Sequence, residues 1–215
     1  MKNKKYLYAA VFFFAAFVFW TFAVGSFDIA AIGPLGSQVG FSSLNGFFHD
    51  LTGVHLSLYH ITDWLSIVPV CFCGGFGILG LLQWIKRKSI SKVDRSILFL
   101  GGFYAVVFAF YLFFEVFVIN FRPVLIDGVL EASYPSSTTM LVMCIMPTAA
   151  MQLRSRMRNP VLSRFVCTGI YIFAVLMVLA RLFSGVHWLS DIIGGAFLSI
   201  ALVLFYRFAV DSCKK

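Results

Sequence analysis

Met1 to Asp28 reads MKNKKYLYAAVFFFAAFVFWTFAVGSFD: a basic leader, then an unbroken apolar and aromatic run from Tyr6 to Phe27. A run of this length spans the roughly 30 Å hydrocarbon core of a bilayer as a helix. It is too long for the apolar part of a signal peptide, so a retained anchor is expected. Five more apolar stretches follow, over about 62–85, 96–119, 137–153, 165–183 and 189–210. In lipid, backbone N–H and C=O groups find partners only within the chain, so these stretches are expected to be helices. The expected fold is all-α: a polytopic membrane protein with six transmembrane helices in one bundle, forming a single domain over residues 1–215.

Composition agrees. Of 215 residues, 60% are hydrophobic and only 12% charged, whereas a water-soluble domain carries about 25% charged residues. The 26 Phe exclude a disordered, solvating chain. A net charge of +8 raises the question of an anionic partner, and the positions of the charges answer most of it. Lys2, Lys4 and Lys5 precede the first span. Lys86, Arg87, Lys88, Lys92 and Arg95 join spans two and three, and Arg154, Arg156, Arg158 and Arg164 join four and five. Arg207, Lys214 and Lys215 finish the chain. All of these fall on one side, which the positive-inside rule assigns to the cytoplasm together with both termini. No basic stripe is interleaved with exposed aromatics, so nucleic acid is not an expected partner. Membrane lipids are. Arg122 and Arg181 alone fall on the opposite, non-cytoplasmic side.

Smaller features are read as structural. Cys71, Cys73, Cys144, Cys167 and Cys213 lie in spans or near the C-terminus, and Cys71 and Cys73 point about 200° apart on a helix, so they are expected to be small buried apolar residues. Pro69 with Gly74, Gly75, Gly77 and Gly80 predicts a kinked, closely packed second span. The long connection 28–61 holds an amphipathic stretch near 41–60, expected as an interfacial helix, with His49, His55 and His60 at its surface and no metal site among them.

Three segments meet at the non-cytoplasmic helix ends: Arg122-Pro123 after span three, Tyr134-Pro135-Ser136-Ser137-Thr138-Thr139 opening span four, and Arg181-x5-His187-x3-Asp191 between spans five and six. In order and placement they resemble the type 2 phosphatidic acid phosphatase superfamily, which is similar in fold to bacterial non-specific acid phosphatases and vanadium haloperoxidases. That family carries Lys-x6-Arg-Pro, Pro-Ser-Gly-His and Ser-Arg-x5-His-x3-Asp. Here Glu115 stands at the Lys position, Ser137 and Thr138 replace the Gly and His, and Ala180 replaces the first Ser of the third motif.

The resemblance implies that His187 is the nucleophile, forming a phosphohistidine at the outer face. Asp191, one helical turn on, would orient the imidazole. Arg122 and Arg181 would clamp phosphate oxygens. Ser136 and Ser137 would add hydroxyls and backbone N–H groups at a helix N-terminus, Ser136 also as its N-cap. No cofactor or metal is required. The family's second-motif His protonates the leaving group, and Thr138 cannot. Such help is worth about 10²–10⁴-fold, and it matters least when a phosphomonoester departs, so a lipid diphosphate such as a prenyl diphosphate is preferred over a monoester. Glu115, if buried and protonated, would supply the proton instead. Two alternatives stay open: a non-catalytic membrane protein that binds a phospholipid headgroup, and a lipid phosphotransferase.

Overall fold

A computed structural model describes residues 4–212; Lys2, Cys213, Lys214 and Lys215 lie outside the described residues. Eight α-helices account for most of the chain: α1 (Lys4–Val24), α2 (Ser42–Thr52), α3 (Leu56–Leu65), α4 (Ile67–Arg87), α5 (Arg95–Val116), α6 (Ser137–Arg156), α7 (Pro160–Phe183) and α8 (Leu189–Ser212). The long helices run alternately up and down. Both ends of the described chain therefore lie together, with the Arg207 guanidinium 4.3 Å from the Tyr6 ring centroid. This is the terminal end of the bundle; the opposite end carries Arg122, Arg181 and His187.

Five segments are long and apolar enough to cross a membrane: Lys4–Val24, Leu56–Arg87, Arg95–Val116, Pro160–Phe183 and Leu189–Ser212. Their outer faces are aliphatic and aromatic, with Phe19 of α1 72% and Phe165 of α7 78% exposed. Water would not tolerate such a surface, but lipid does. The predicted stretch at 137–153 forms a helix, α6, yet it is not apolar enough to count as a sixth span by composition. It packs against α4, α5, α7 and α8, and buries Thr138, Thr139, Thr148 and Gln152 along with its apolar residues. A helix surrounded by protein is free to carry polar groups that lipid would exclude. One of them stays inside its own helix: the Thr148 hydroxyl lies within donating distance of the carbonyls of Cys144 (2.8 Å) and Ile145 (3.0 Å), one turn back.

The 28–61 connection differs from the single interfacial helix expected. It contains two helices, α2 and α3, separated at Gly53, whose φ of +68° suits glycine. The α3 helix leads into α4 through a break at Ser66, whose hydroxyl donates to the Thr62 carbonyl (2.8 Å). Pro69 lies just beyond and cannot donate back to Leu65, which accounts for the break. Together the 32 residues Leu56–Arg87 would reach about 48 Å, well beyond a hydrocarbon core, so α3 extends past it at the end that carries Arg122, Arg181 and His187. Of the span-two glycines, only Gly80 makes a close approach, its would-be Cβ 3.0 Å from Ile97; Gly74, Gly75 and Gly77 face open space. The expected close packing is thus confined to one position. Cys144 and Cys167 are buried, Cys71 is exposed and Cys73 half-buried, all free thiols.

Candidate active site

The loop between α5 and α6 doubles back on itself. Phe121 and Ala132 form an antiparallel bridge, the Arg122 N–H donates to the Glu131 carbonyl (3.0 Å), and the Ser133 N–H donates to that of Asn120 (2.9 Å). This brings Arg122 and Ser133, eleven residues apart, onto one short ladder. Next to it lies the α7–α8 turn. The Trp188 indole N–H donates to the Phe121 carbonyl (2.7 Å), tying the turn to the ladder. On its other side the His55 N–H donates to the Ser184 carbonyl (2.9 Å). Gly185, at φ +68°, lies so close to Gly53 that a Cβ would stand 2.1 Å from its carbonyl oxygen, so glycine is required there.

Arg181, at the last turn of α7, is 2% exposed. Its Nη1 donates to Thr62 Oγ1 (3.0 Å) and to the Tyr59 carbonyl (3.4 Å). The Tyr59 ring presents its π system to both guanidiniums, with centroid distances of 4.6 Å to Arg181 and 5.7 Å to Arg122. Arg122 Nη2 pairs with Glu131 Oε2 at 3.1 Å. That leaves Nε and Nη1 of Arg122 and Nε of Arg181 buried without a hydrogen-bond partner, and His187 Nε2 with them. Buried donors rarely stay unpaired in a folded protein. Four such atoms at one end of the bundle, three of them guanidinium nitrogens, mark a place shaped for an anion.

His187 is 4% exposed and precedes α8. Burial first, then the charges of Arg122 and Arg181, push its imidazole well below the usual histidine range. Its Nδ1 lies 3.0 Å from Ser133 Oγ, which donates to Asp191 Oδ2 at 2.5 Å. Asp191 is fully buried and also accepts from the Trp188 N–H (3.0 Å), Asn120 Nδ2 (3.2 Å) and Ser190 Oγ (3.4 Å). The expected direct turn-to-turn contact between His187 and Asp191 is therefore replaced by a bridge. The reason is local: Asp191 folds back to cap the Trp188 N–H at the start of α8, and Ser133 fills the gap.

The remaining expected residues divide. Ser136 is fully buried, and its hydroxyl accepts from Thr139 Oγ1 (3.0 Å); it makes no side-chain capping bond, so the expected N-cap role of its hydroxyl is not found. Its N–H donates to the Asp191 carbonyl (3.1 Å), joining α6 to α8. Ser137 is half-buried and lines two cavities. One is small and holds Glu115, Ser133 and Tyr134. The other, about 390 Å³ and mostly apolar, lies between α4, α5 and α6, with Asp63, Ser66 and the buried Thr138 toward the site end. Glu115 is exposed at the end of α5, so the burial needed for a proton-donating carboxyl is absent.

Ser133, Asn120, Tyr59, Thr62 and Glu131 were not foreseen. Tyr59 and Thr62 share a face of α3 by their i, i+3 spacing, but spacing does not say what that face meets. Ser133 stands two residues before Pro135, adjacent to a motif and outside it.

Comparison with known proteins follows this geometry. The PAP2 superfamily model matches residues 3–213. A solved structure, the first transmembrane PAP2-type phosphatidylglycerolphosphate phosphatase from Bacillus subtilis, is similar over 97% of this chain and 98% of its own, with 19% identity and a TM-score of 0.67. At that identity the likeness speaks for the fold. No match was found among curated proteins. With the family model spanning nearly the whole chain, this membrane protein belongs to the PAP2 superfamily.

Proposed function

We propose that the protein is an integral membrane lipid phosphatase, acting preferentially on a lipid diphosphate such as a prenyl diphosphate through a phosphohistidine at His187. The observation that carries this is the set of buried, unpartnered polar atoms: Nε and Nη1 of Arg122, Nε of Arg181 and Nε2 of His187. A terminal phosphoryl group offers oxygens to the three guanidinium nitrogens and phosphorus to the imidazole. The His187 Nε2 lone pair forms the N–P bond, and the P–O bond to the departing lipid phosphate breaks. Water then attacks phosphorus, the N–P bond breaks, inorganic phosphate leaves and the neutral imidazole is restored. Fixed guanidiniums stabilise the charge that builds on the oxygens.

Thr138, at the position of the family's proton donor, is a buried hydroxyl facing the apolar cavity. A lipid monophosphate leaving group needs little protonation, which favours a diphosphate. The cavity between α4, α5 and α6 has room for part of a lipid tail. Lys86, Arg87, Lys88, Lys92, Arg154, Arg156 and Arg158 cluster in connections at the terminal end, which supports cytoplasmic termini and a site on the non-cytoplasmic face of a cell membrane. In this reading α6 is a sixth, protein-lined crossing and residues 1–215 form one catalytic unit.

The test is phosphate release by detergent-purified protein from prenyl diphosphate, phosphatidic acid and phosphatidylglycerophosphate, with His187→Ala as control. Faster turnover of the diphosphate is expected. Equal or faster hydrolysis of phosphatidic acid overturns the substrate preference. Absence of His187-dependent release from all three overturns the enzyme.

A further inference from the structure

We propose that Ser133 is the positioning residue of His187, fixing its tautomer by linking Nδ1 to Asp191 through one hydroxyl. This rests on His187 being the nucleophile. The argument follows from counting hydrogens. A serine hydroxyl has one hydrogen to donate. Asp191 receives Ser133 Oγ at 2.5 Å, along with the Trp188 N–H and Asn120 Nδ2; a carboxylate ringed by donors is itself an acceptor. The Ser133 hydrogen is therefore committed to Asp191 Oδ2.

What Ser133 turns toward the imidazole, 3.0 Å away, is a lone pair, and only an N–H on Nδ1 can meet it. The proton sits on Nδ1, and Nε2 keeps the free lone pair that phosphoryl transfer requires. Nε2 is the ring nitrogen left buried and without a partner.

The serine is held firmly enough to impose this. Its N–H donates to the Asn120 carbonyl (2.9 Å), and Asn120 Nδ2 returns to Asp191 Oδ1 (3.2 Å), closing a ring of three residues. Tyr134, the next residue, is buried; its hydroxyl meets Thr21 Oγ1 at 2.7 Å, and its ring packs where any side chain on Gly194 would collide. A slip of Ser133 thus requires moving α1 or α8. When the N–P bond forms, the positive charge on the ring is stabilised by the Asp191 carboxylate through a hydroxyl already polarised toward it, the proton staying on Nδ1.

The experiment combines kinetics with nitrogen-15 NMR of the histidine ring in detergent. In the wild type, the His187 resonances are expected to show protonated Nδ1 and unprotonated Nε2; the opposite tautomer overturns the proposal whether or not any variant folds. Ser133→Ala is expected to lower kcat on the order of 100-fold at little-changed KM and to move the acid limb of the pH profile, with Ser133→Thr restoring most of the rate. Wild-type kcat and pH profile in Ser133→Ala, beside an inactive His187→Ala, sink the role of Ser133 while leaving the nucleophile intact. Full activity in His187→Ala sinks the nucleophile itself.

Discussion

Two polar clusters lie at opposite ends of the same apolar bundle, and they are built to opposite specifications. At the terminal end Gln152 of α6 donates to the Ser96 carbonyl (3.0 Å) and to the Tyr206 hydroxyl, and its amide oxygen accepts from Arg156. Arg156 also reaches Ser96 Oγ (3.2 Å) and pairs with Asp94 (3.6 Å). Asp94 in turn takes Gln83 (2.8 Å) and Arg87 (3.0 Å). Four helices, α4, α5, α6 and α8, are joined there, and among the described residues no buried side-chain atom of that cluster lacks a partner. At the other end Arg122 retains two such atoms and Arg181 and His187 one each. A closed network stabilises a fold, while donors left open in a dry environment cost free energy and are kept where a ligand completes them.

The contrast breaks most plainly at His187. His187→Ala should reduce phosphate release on the order of 10⁴-fold or more, with melting temperature unchanged or raised, because a polar atom without a partner is removed. A collapse in stability would mean that this end holds the fold together after all. Arg122→Gln should cost about 10²–10³-fold in kcat/KM, and it carries a pH signature. Burial first, then the Arg122 charge, pushes the His187 imidazole below its usual range. The wild-type acid limb of kcat/KM should therefore fall below about pH 6.5. Loss of that positive neighbour makes protonation easier, so the limb moves to higher pH. An unmoved limb would separate Arg122 from the imidazole.

At the terminal end the effects reverse. Gln152→Leu should lower unfolding stability by about 1–3 kcal/mol, since the buried Tyr206 and the half-buried Arg156 and Ser96 lose a partner. Turnover per folded molecule should stay at the wild-type level, and thermal denaturation with active-site counting separates the two. The smallest effect is expected at Asp94. The hydrogen bond from Gln83, then that from Arg87, holds its carboxyl below the ordinary range. A depressed carboxyl stabilises the folded state above the unfolded pKa of about 3.9 and loses that contribution as pH falls through the folded value. Asp94→Asn should therefore narrow the stability difference between pH 7 and pH 3, read as a melting-temperature shift. No narrowing would remove Asp94 from the network.

Much of this fold was legible in one dimension, because lipid imposes a rule that a sequence displays. Tyr6 to Phe27 could be read as a helix without knowing its neighbours: hydrocarbon offers the backbone no partner, so length and hydropathy suffice. The same rule does not reach α6, which forms a helix where one was expected but is too polar to be a span by composition. Its Thr138, Thr139, Thr148 and Gln152 face protein, and what a helix faces is a tertiary fact. The expected packing of Gly74, Gly75 and Gly77 failed for the same reason, as did the single interfacial helix, which Gly53 divides.

The candidate site divides along that line too. Arg122, Arg181, His187 and Asp191 stood out because charge, imidazole and carboxylate at apolar helix ends call for a reason. Ser133 did not, since a serine before a proline is ordinary until His187, 54 residues away, and Asp191, 58 away, close around it. Nor could spacing show that Tyr59 lies against both guanidiniums. The sequence alone determined that this protein lives in a membrane and which helix ends carry its charged residues, because solvation acts on each segment separately. Which hydrogen goes to which acceptor was decided only in three dimensions, because a hydrogen bond depends on ångström distances between groups the chain keeps far apart.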